Sequence, residues 1–142
     1  MNMVSKILSR KNRNAISVEP NCSVLEALKI MADENIGSLV VKENGKYVGI
    51  VTERDYSRKV VLKGKSSAET TVGEIMSTDL PTVSPTDSID RCMELMSNKN
   101  IRYMPVFDNN ELVGIISMSD VVKETILAQK ETIEHLQSYI HS

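Results

Sequence analysis

Two short segments carry most of the chemistry available to this chain. They are Gly49-Ile50-Val51-Thr52-Glu53-Arg54-Asp55 and Gly114-Ile115-Ile116-Ser117-Met118-Ser119-Asp120. In each, an apolar stretch ends in a hydroxyl residue and a carboxylate follows three residues later. That spacing has two chemical readings. In the first it is a helix capping box, with the aspartate also answering the positive end of the helix dipole. Ser23 with Glu26, and Thr71 with Glu74, repeat the pattern elsewhere. In the second reading it is half of a nucleotide pocket. A hydroxyl at a helix start receives phosphate, and a carboxylate one turn in accepts hydrogen bonds from both ribose hydroxyls. The glycine fits the second reading, because no side chain blocks a ligand approaching the backbone. One hydroxyl can do both jobs.

Other chemistries find little to work with. Cys22 and Cys92 form no C-x-x-C pair, and His135 and His141 lie at the end of the chain, so a zinc site is not expected. No Cys or Ser has a His within local reach for nucleophilic catalysis, and the expectation is a protein that is not an enzyme. The thiols read as free cysteines of a reducing cytoplasm. Lys plus Arg (17) nearly balance Asp plus Glu (19), and there is no Trp, so neither a nucleic-acid backbone nor stacked bases are expected partners. No apolar run reaches the ~18 residues of a membrane span, and Met1 to Arg13 lack the apolar centre of a signal peptide. No membrane partner is expected. Arg54, Arg58, Lys59, Lys63 and Lys65 form a basic cluster that reads as a solvated helix face or as a surface for polyphosphate or an acidic partner. Lys6, Arg10, Lys11 and Arg13 read as solvated.

The elements that position the two segments come from an internal repeat. Displaced by 65 residues, the chain matches itself at 12 of the 38 positions from 18 to 55, without a gap. Among the identities are Val18/Val83, Pro20/Pro85, Ser23/Ser88, Asn35-Ile36/Asn100-Ile101 and Asp55/Asp120. The lead-ins correspond at an offset of 68, Val4-Ser5-Lys6-Ile7-Leu8-Ser9 against Val72-Gly73-Glu74-Ile75-Met76-Ser77. Each copy predicts the order β-α-β-β-α. Residues 15–18 and 81–83 read as short strands. A helix follows, its apolar stripe being Val24, Leu25, Leu28, Met31 and Ala32 in the first copy. Two strands come next, 38–42 with 47–51 and 103–107 with 112–116, joined by turns around Asn44-Gly45 and Asn109-Asn110. A last helix starts at Glu53 and at Met118. The fold class is α/β, more closely α+β. A unit this small leaves an apolar face uncovered, so the copies are expected to pack by pseudo-twofold symmetry. The domains are read as 1–63 (lead-in and first repeat), a linker at 64–71, 72–126 (lead-in and second repeat) and a helical tail at 127–142.

Paired β-α-β-β-α units, each ending in Gly-x-x-[Thr/Ser]-x-x-Asp, resemble a tandem pair of cystathionine-β-synthase (CBS) domains, or Bateman module. Asn35-Ile36-Gly37-Ser38-Leu39-Val40-Val41 and Asn100-Ile101-Arg102-Tyr103-Met104-Pro105-Val106 resemble the family's second-strand segment. Thr52 to Val60 is similar to small stand-alone CBS-pair proteins of bacteria and plant organelles. The resemblance implies a regulatory module that binds AMP, ADP, ATP or NAD(H) in two clefts related by pseudosymmetry, with S-adenosylmethionine behind them in rank. No cofactor is required. Carried over, it makes Asp55 and Asp120 ribose binders and Thr52 and Ser117 ribose or phosphate hydroxyls. Arg102 becomes a phosphate contact, with Tyr103 and Pro105 beside it. The first copy has Gly37 at that place, and Arg54 supplies its charge. Ile16, Val18, Thr82 and Val83 wall the adenine. The alternative is a protein-interaction module with no nucleotide, its hydroxyls serving only as caps. Val122, Ile126, Gln129, Ile133, Leu136 and Ile140 step by four and three along the tail. That stripe reads either as packing on the module itself or as contact with a second subunit, and a homodimer is the expectation. An unidentified regulated protein is the remaining partner.

Overall fold

Runs of β-branched residues without alternation imply strands covered on both faces, and the hairpins are built this way. The computed structural model describes residues 2–11 and 14–141, and Arg13 lies outside them. In it Leu39-Val40-Val41 and Gly49-Ile50-Val51 are buried in unbroken runs within β2 (Ser38–Glu43) and β3 (Lys46–Thr52). The pair is antiparallel, with Val40 opposite Ile50 and a bulge after Val41. Its turn needs two residues at positive φ, and Asn44 and Gly45 supply them at 53° and 78°. β4 (Tyr103–Asp108) and β5 (Glu111–Ser117) repeat the arrangement, with Pro105 opposite Ile115 and the turn on Asn109 and Asn110.

The helices before the hairpins are also copies. α2 (Val24–Glu34) starts on Ser23, whose Oγ accepts from Glu26 N, and ends on left-handed Asn35. It buries Val24, Ala27 and Met31. α5 (Ile89–Lys99) starts on Ser88, ends on left-handed Asn100 and buries Ile89, Cys92 and Met96. Asparagine at both ends fits, since it tolerates the left-handed region that closes a helix.

The leading strands differ. β1 (Ser17–Val18) pairs parallel with β2, and Val40 N donates to Ile16 O. The strand expected at 81–83 is reduced to one bridge, Val83 with Val106. Pro105 stands where Val40 stands in the first copy and has no N–H, so that rung cannot form. Val83 still donates to Pro105 O and accepts from Phe107 N.

The closing helices differ too. The helix expected from Glu53 is a short α3 (Glu53–Tyr56) followed by a π-helical turn over Ser57–Val61. α6 (Met118–His141) runs 24 residues. No helix among the described residues is long and apolar enough to cross a membrane.

The chain makes two compact units, and the lead-ins are exchanged between the repeats. One unit is Ala15–Leu80; the other joins Met1–Asn14 to Pro81–Ser142. Thus α4 (Val72–Ile75), which precedes the second repeat, completes the core of the first with Val72 and Ile75. α1 (Val4–Lys11), which precedes the first, completes the core of the second with Val4 and Ile7. The backbone registers correspond: Val72 N donates to Cys22 O and Gly73 N to Pro20 O, as Val4 N does to Asp87 O and Ser5 N to Pro85 O.

Candidate functional site

In the first repeat the strand delivers Thr52 to the start of α3, and the capping box closes in both directions. Asp55 N donates to Thr52 Oγ1 at 3.0 Å, and Thr52 N donates to Asp55 Oδ2 at 3.0 Å. Thr52 Oγ1 also donates to Oδ2, at 3.0 Å. Two further donors reach the other oxygen: Ser77 Oγ at 3.1 Å and Lys59 Nζ at 3.0 Å. Lys59 Nζ also donates to Ile75 O, at the end of α4. Asp55 is buried.

The second repeat builds the same box from Ser117 and Asp120 at the start of α6. Asp120 N donates to Ser117 Oγ at 3.0 Å, and Ser117 N to Asp120 Oδ2 at 2.9 Å. Its lysine comes from elsewhere: Lys11 Nζ, at the end of α1, lies 2.9 Å from Asp120 Oδ2 and 2.9 Å from Ile115 O. The carboxylate is half-buried.

Both segments are therefore capping boxes, and each aspartate also holds a lysine. The solvated reading of Lys11 and Lys59 is corrected by these bonds. Lys59 follows Asp55 by four residues, a helical spacing that carried the signal; Lys11 is 109 residues from Asp120 and carried none. Arg10 and Lys6, also read as solvated, pair with α6. Arg10 Nε lies 2.7 Å from Glu124 Oε2, and Arg10 and Lys6 both reach Glu131. Ser77 was missed, since only the fold brings it to Asp55.

The glycines of the two segments have a different purpose from the one read in the sequence. A Cβ on Gly49 would lie 2.8 Å from Ser77 O, and one on Gly114 would lie 2.7 Å from Leu8 Cδ2. The lead-in segments occupy the space first assigned to a ligand. Ser77 there exchanges both backbone hydrogen bonds with Ile50.

Arg102 lies next to the second motif. Tyr103 is paired with Ser117, and Met118 N donates to Arg102 O at 2.8 Å. The Arg102 side chain is exposed, Tyr103 is half-buried and Pro105 is buried. In the first repeat Glu53 N donates to Gly37 O in the same way, and Arg54 is half-buried on α3. Val18 and Val83 belong to the two cores, Ile16 packs against the first, and Thr82 is exposed. Within its own unit, each of the two leading segments thus buries its valine and leaves a neighbour, Ile16 or Thr82, less covered.

The thiols are poor nucleophiles. Burial pushes Cys92 up to about 11 and also raises Cys22. Among the described residues no three His, Cys, Asp or Glu side chains gather as metal ligands.

The CBS domain is the family whose sequence pattern the chain matches, over residues 4–61 and 72–126. The chain is 36% identical over 146 residues to the CBS domain-containing protein CBSX3, mitochondrial, of Arabidopsis thaliana, an alignment covering 96% of this chain and 71% of that protein. The structure of a protein with CBS domains from Burkholderia ambifaria, described as a signal-transduction protein, superposes with a TM-score of 0.85 at 43% identity, covering 90% of this chain and 96% of that one. The CBS domain pair of protein MJ0100, in complex with 5′-methylthioadenosine and S-adenosyl-L-methionine, gives a TM-score of 0.77 at 31% identity, covering 92% and 98%.

Proposed function

The chain belongs to the CBS-domain family, and on that premise we propose that it is a regulatory module. It binds an adenine nucleotide at a hydroxyl–aspartate motif and passes the bound state to a separate protein. The observation that carries this reading is the second motif. Ser117 Oγ at the end of β5, the Asp120 carboxylate in the first turn of α6 and the exposed Arg102 before β4 lie at one end of the hairpin, where Met118 N donates to Arg102 O. The two ligands of the MJ0100 pair share a 5′-deoxyadenosyl group, and its ribose diol can donate to an aspartate of this kind. Arg102 suits ligands that add phosphate, namely AMP, ADP, ATP or NAD(H), since charge-assisted contacts to phosphate are about twice as strong as neutral ones. Ligand binding acts through its difference in affinity between two states of the module. Neither thiol is set up as a nucleophile, which supports regulation over catalysis.

The reading includes a homodimer. Glu124 and Glu131 tie one face of α6 to α1. At about 100° per residue, Val122, Ile126, Ile133, Leu136 and Ile140 lie roughly opposite, and all are exposed. A second copy of the same stripe covers them. The division at 64–71 and a reducing cytoplasm, suited to two free cysteines, belong to the same proposal.

Thermal unfolding with AMP, ADP, ATP, NAD, NADH, S-adenosylmethionine and 5′-methylthioadenosine tests it. A ligand at 100 times its Kd adds about 2.7 kcal/mol, so at least one raises Tm by several degrees. No shift with any of them returns the module to nucleotide-free protein interaction.

A further inference from the structure

We infer, on the reading that the motifs bind a ribonucleoside, that the two aspartates have different jobs: Asp120 accepts the ribose, and Asp55 is an internal tie that leaves its repeat without a ribose site. The motif is the same in both repeats, so the distinction comes from what the fold brings to each carboxylate.

A carboxylate offers about four acceptor positions. Asp55 has four donors from its own unit: Thr52 N and Thr52 Oγ1 on Oδ2, Ser77 Oγ and Lys59 Nζ on Oδ1. Its side chain is only 8% exposed. A ribose diol entering here would have to displace two of these bonds and replace them with two of its own, which leaves little gain. Asp120 takes Ser117 N and Lys11 Nζ, both on Oδ2. Among the described residues Oδ1 has no donor, and the side chain is 20% exposed. Among the described residues that leaves two acceptor positions, the number of secondary hydroxyls on a nucleoside's ribose.

The difference has causes in particular residues. The counterpart of Lys59 at the offset of 65 is Glu124, which cannot donate to Asp120 and pairs instead with Arg10. The counterpart of Ser77 at the offset of 68 is Ser9, and none of the hydrogen bonds recorded for Asp120 comes from it. Both hydroxyls accept from the aspartate N–H, and Thr52 Oγ1 in addition donates to the Asp55 carboxylate. Arg102, the exposed cation beside the motif, stands on the same repeat as the open carboxylate.

Isothermal calorimetry with AMP, ATP and 5′-methylthioadenosine tests this on the full chain. We expect one equivalent per wild-type chain. Asp120→Asn weakens binding by about tenfold or more, as loss of a charged acceptor should, and abolishes the preference for ribose over 2′-deoxyribose. Asp55→Asn leaves Kd within about twofold, and lowers Tm because Ser77 and Lys59 lose a charged acceptor. Two equivalents per wild-type chain overturn the inference and leave the nucleotide reading intact. So does an Asp55→Asn protein that loses as much affinity as Asp120→Asn. If wild type binds none of the three and none shifts its Tm, the nucleotide reading fails and this inference with it. The wild-type stoichiometry decides the matter even if Asp55→Asn does not fold.

Discussion

An exposed carboxylate gains most from a fold when backbone N–H groups point at it, and Glu74 shows this in isolation. Its Oε2 accepts from Thr71 N at 2.7 Å and from Thr71 Oγ1 at 3.1 Å. These bonds, that of the backbone first, lower its pKa below the ordinary value. A depressed folded pKa means that the stabilisation is present above the unfolded value, ~4.3, and is lost as pH falls through the folded one. Glu74→Gln keeps an acceptor and removes the charge. We therefore expect it to lower Tm at pH 7, with the difference from wild type closing as the pH falls through the acid range. A Tm difference that does not change between pH 7 and pH 3 would show that charge is not what the cap uses. Such local bonds were legible in the sequence: Thr71-Glu74, Thr52-Asp55 and Ser117-Asp120 are spaced by the helix itself. What else reaches a carboxylate was not, because Lys11 and Ser77 meet Asp120 and Asp55 only through the fold. Hence the two motifs look alike in the sequence and differ in the structure.

Elements were legible where a residue type has one conformational use. Asn44-Gly45 and Asn109-Asn110 placed both hairpins; that Asn35 and Asn100 close both helices before them is seen only in the structure. The missing second leading strand follows from Pro105, a single absent donor that an aligned repeat conceals. The π-helical turn after α3 left no signature in the pattern of apolar residues. α6 combines both cases, since its four-three spacing was legible but the face it turns to its own unit was not. Glu124, with a side chain only 3% exposed, and Glu131 settle that face through Arg10 and Lys6. The apolar stripe is left on the other side. Placing charge in an apolar seam costs several kcal/mol (~2–7 for an uncompensated polar group). Ile133→Glu with Ile140→Glu is therefore expected to turn a dimer into a monomer, read as mass by light scattering. The melting of each unit should not change, since both residues are exposed in the chain itself. A dimer that survives the pair of substitutions removes α6 from the assembly.

At the scale of the whole molecule, each compact unit joins one repeat to the lead-in that precedes the other repeat in sequence. The sequence showed that the lead-ins are copies. It gave no sign of which repeat each one covers, since order along the chain suggests the neighbour that follows. The hydrogen-bond registers and the cores decide it. Ile7 belongs to the core that holds Ile89, Met96 and Ile116, and Ile75 to the core that holds Val24, Met31 and Val51. Ile7 and Ile75 are counterparts at the offset of 68, both almost fully buried. Truncating such a side chain to alanine costs about 2–5 kcal/mol, and that loss falls on the unit whose core it fills. Native-state amide exchange reads stability unit by unit. Ile7→Ala should accelerate exchange across residues 83–121 and spare 17–60, although residue 7 directly precedes the first repeat. Ile75→Ala should do the reverse, accelerating 17–60 and sparing 83–121. If each substitution instead loosens the repeat that follows it in sequence, the exchange of lead-ins is wrong. If both loosen the whole chain equally, the two units unfold as one.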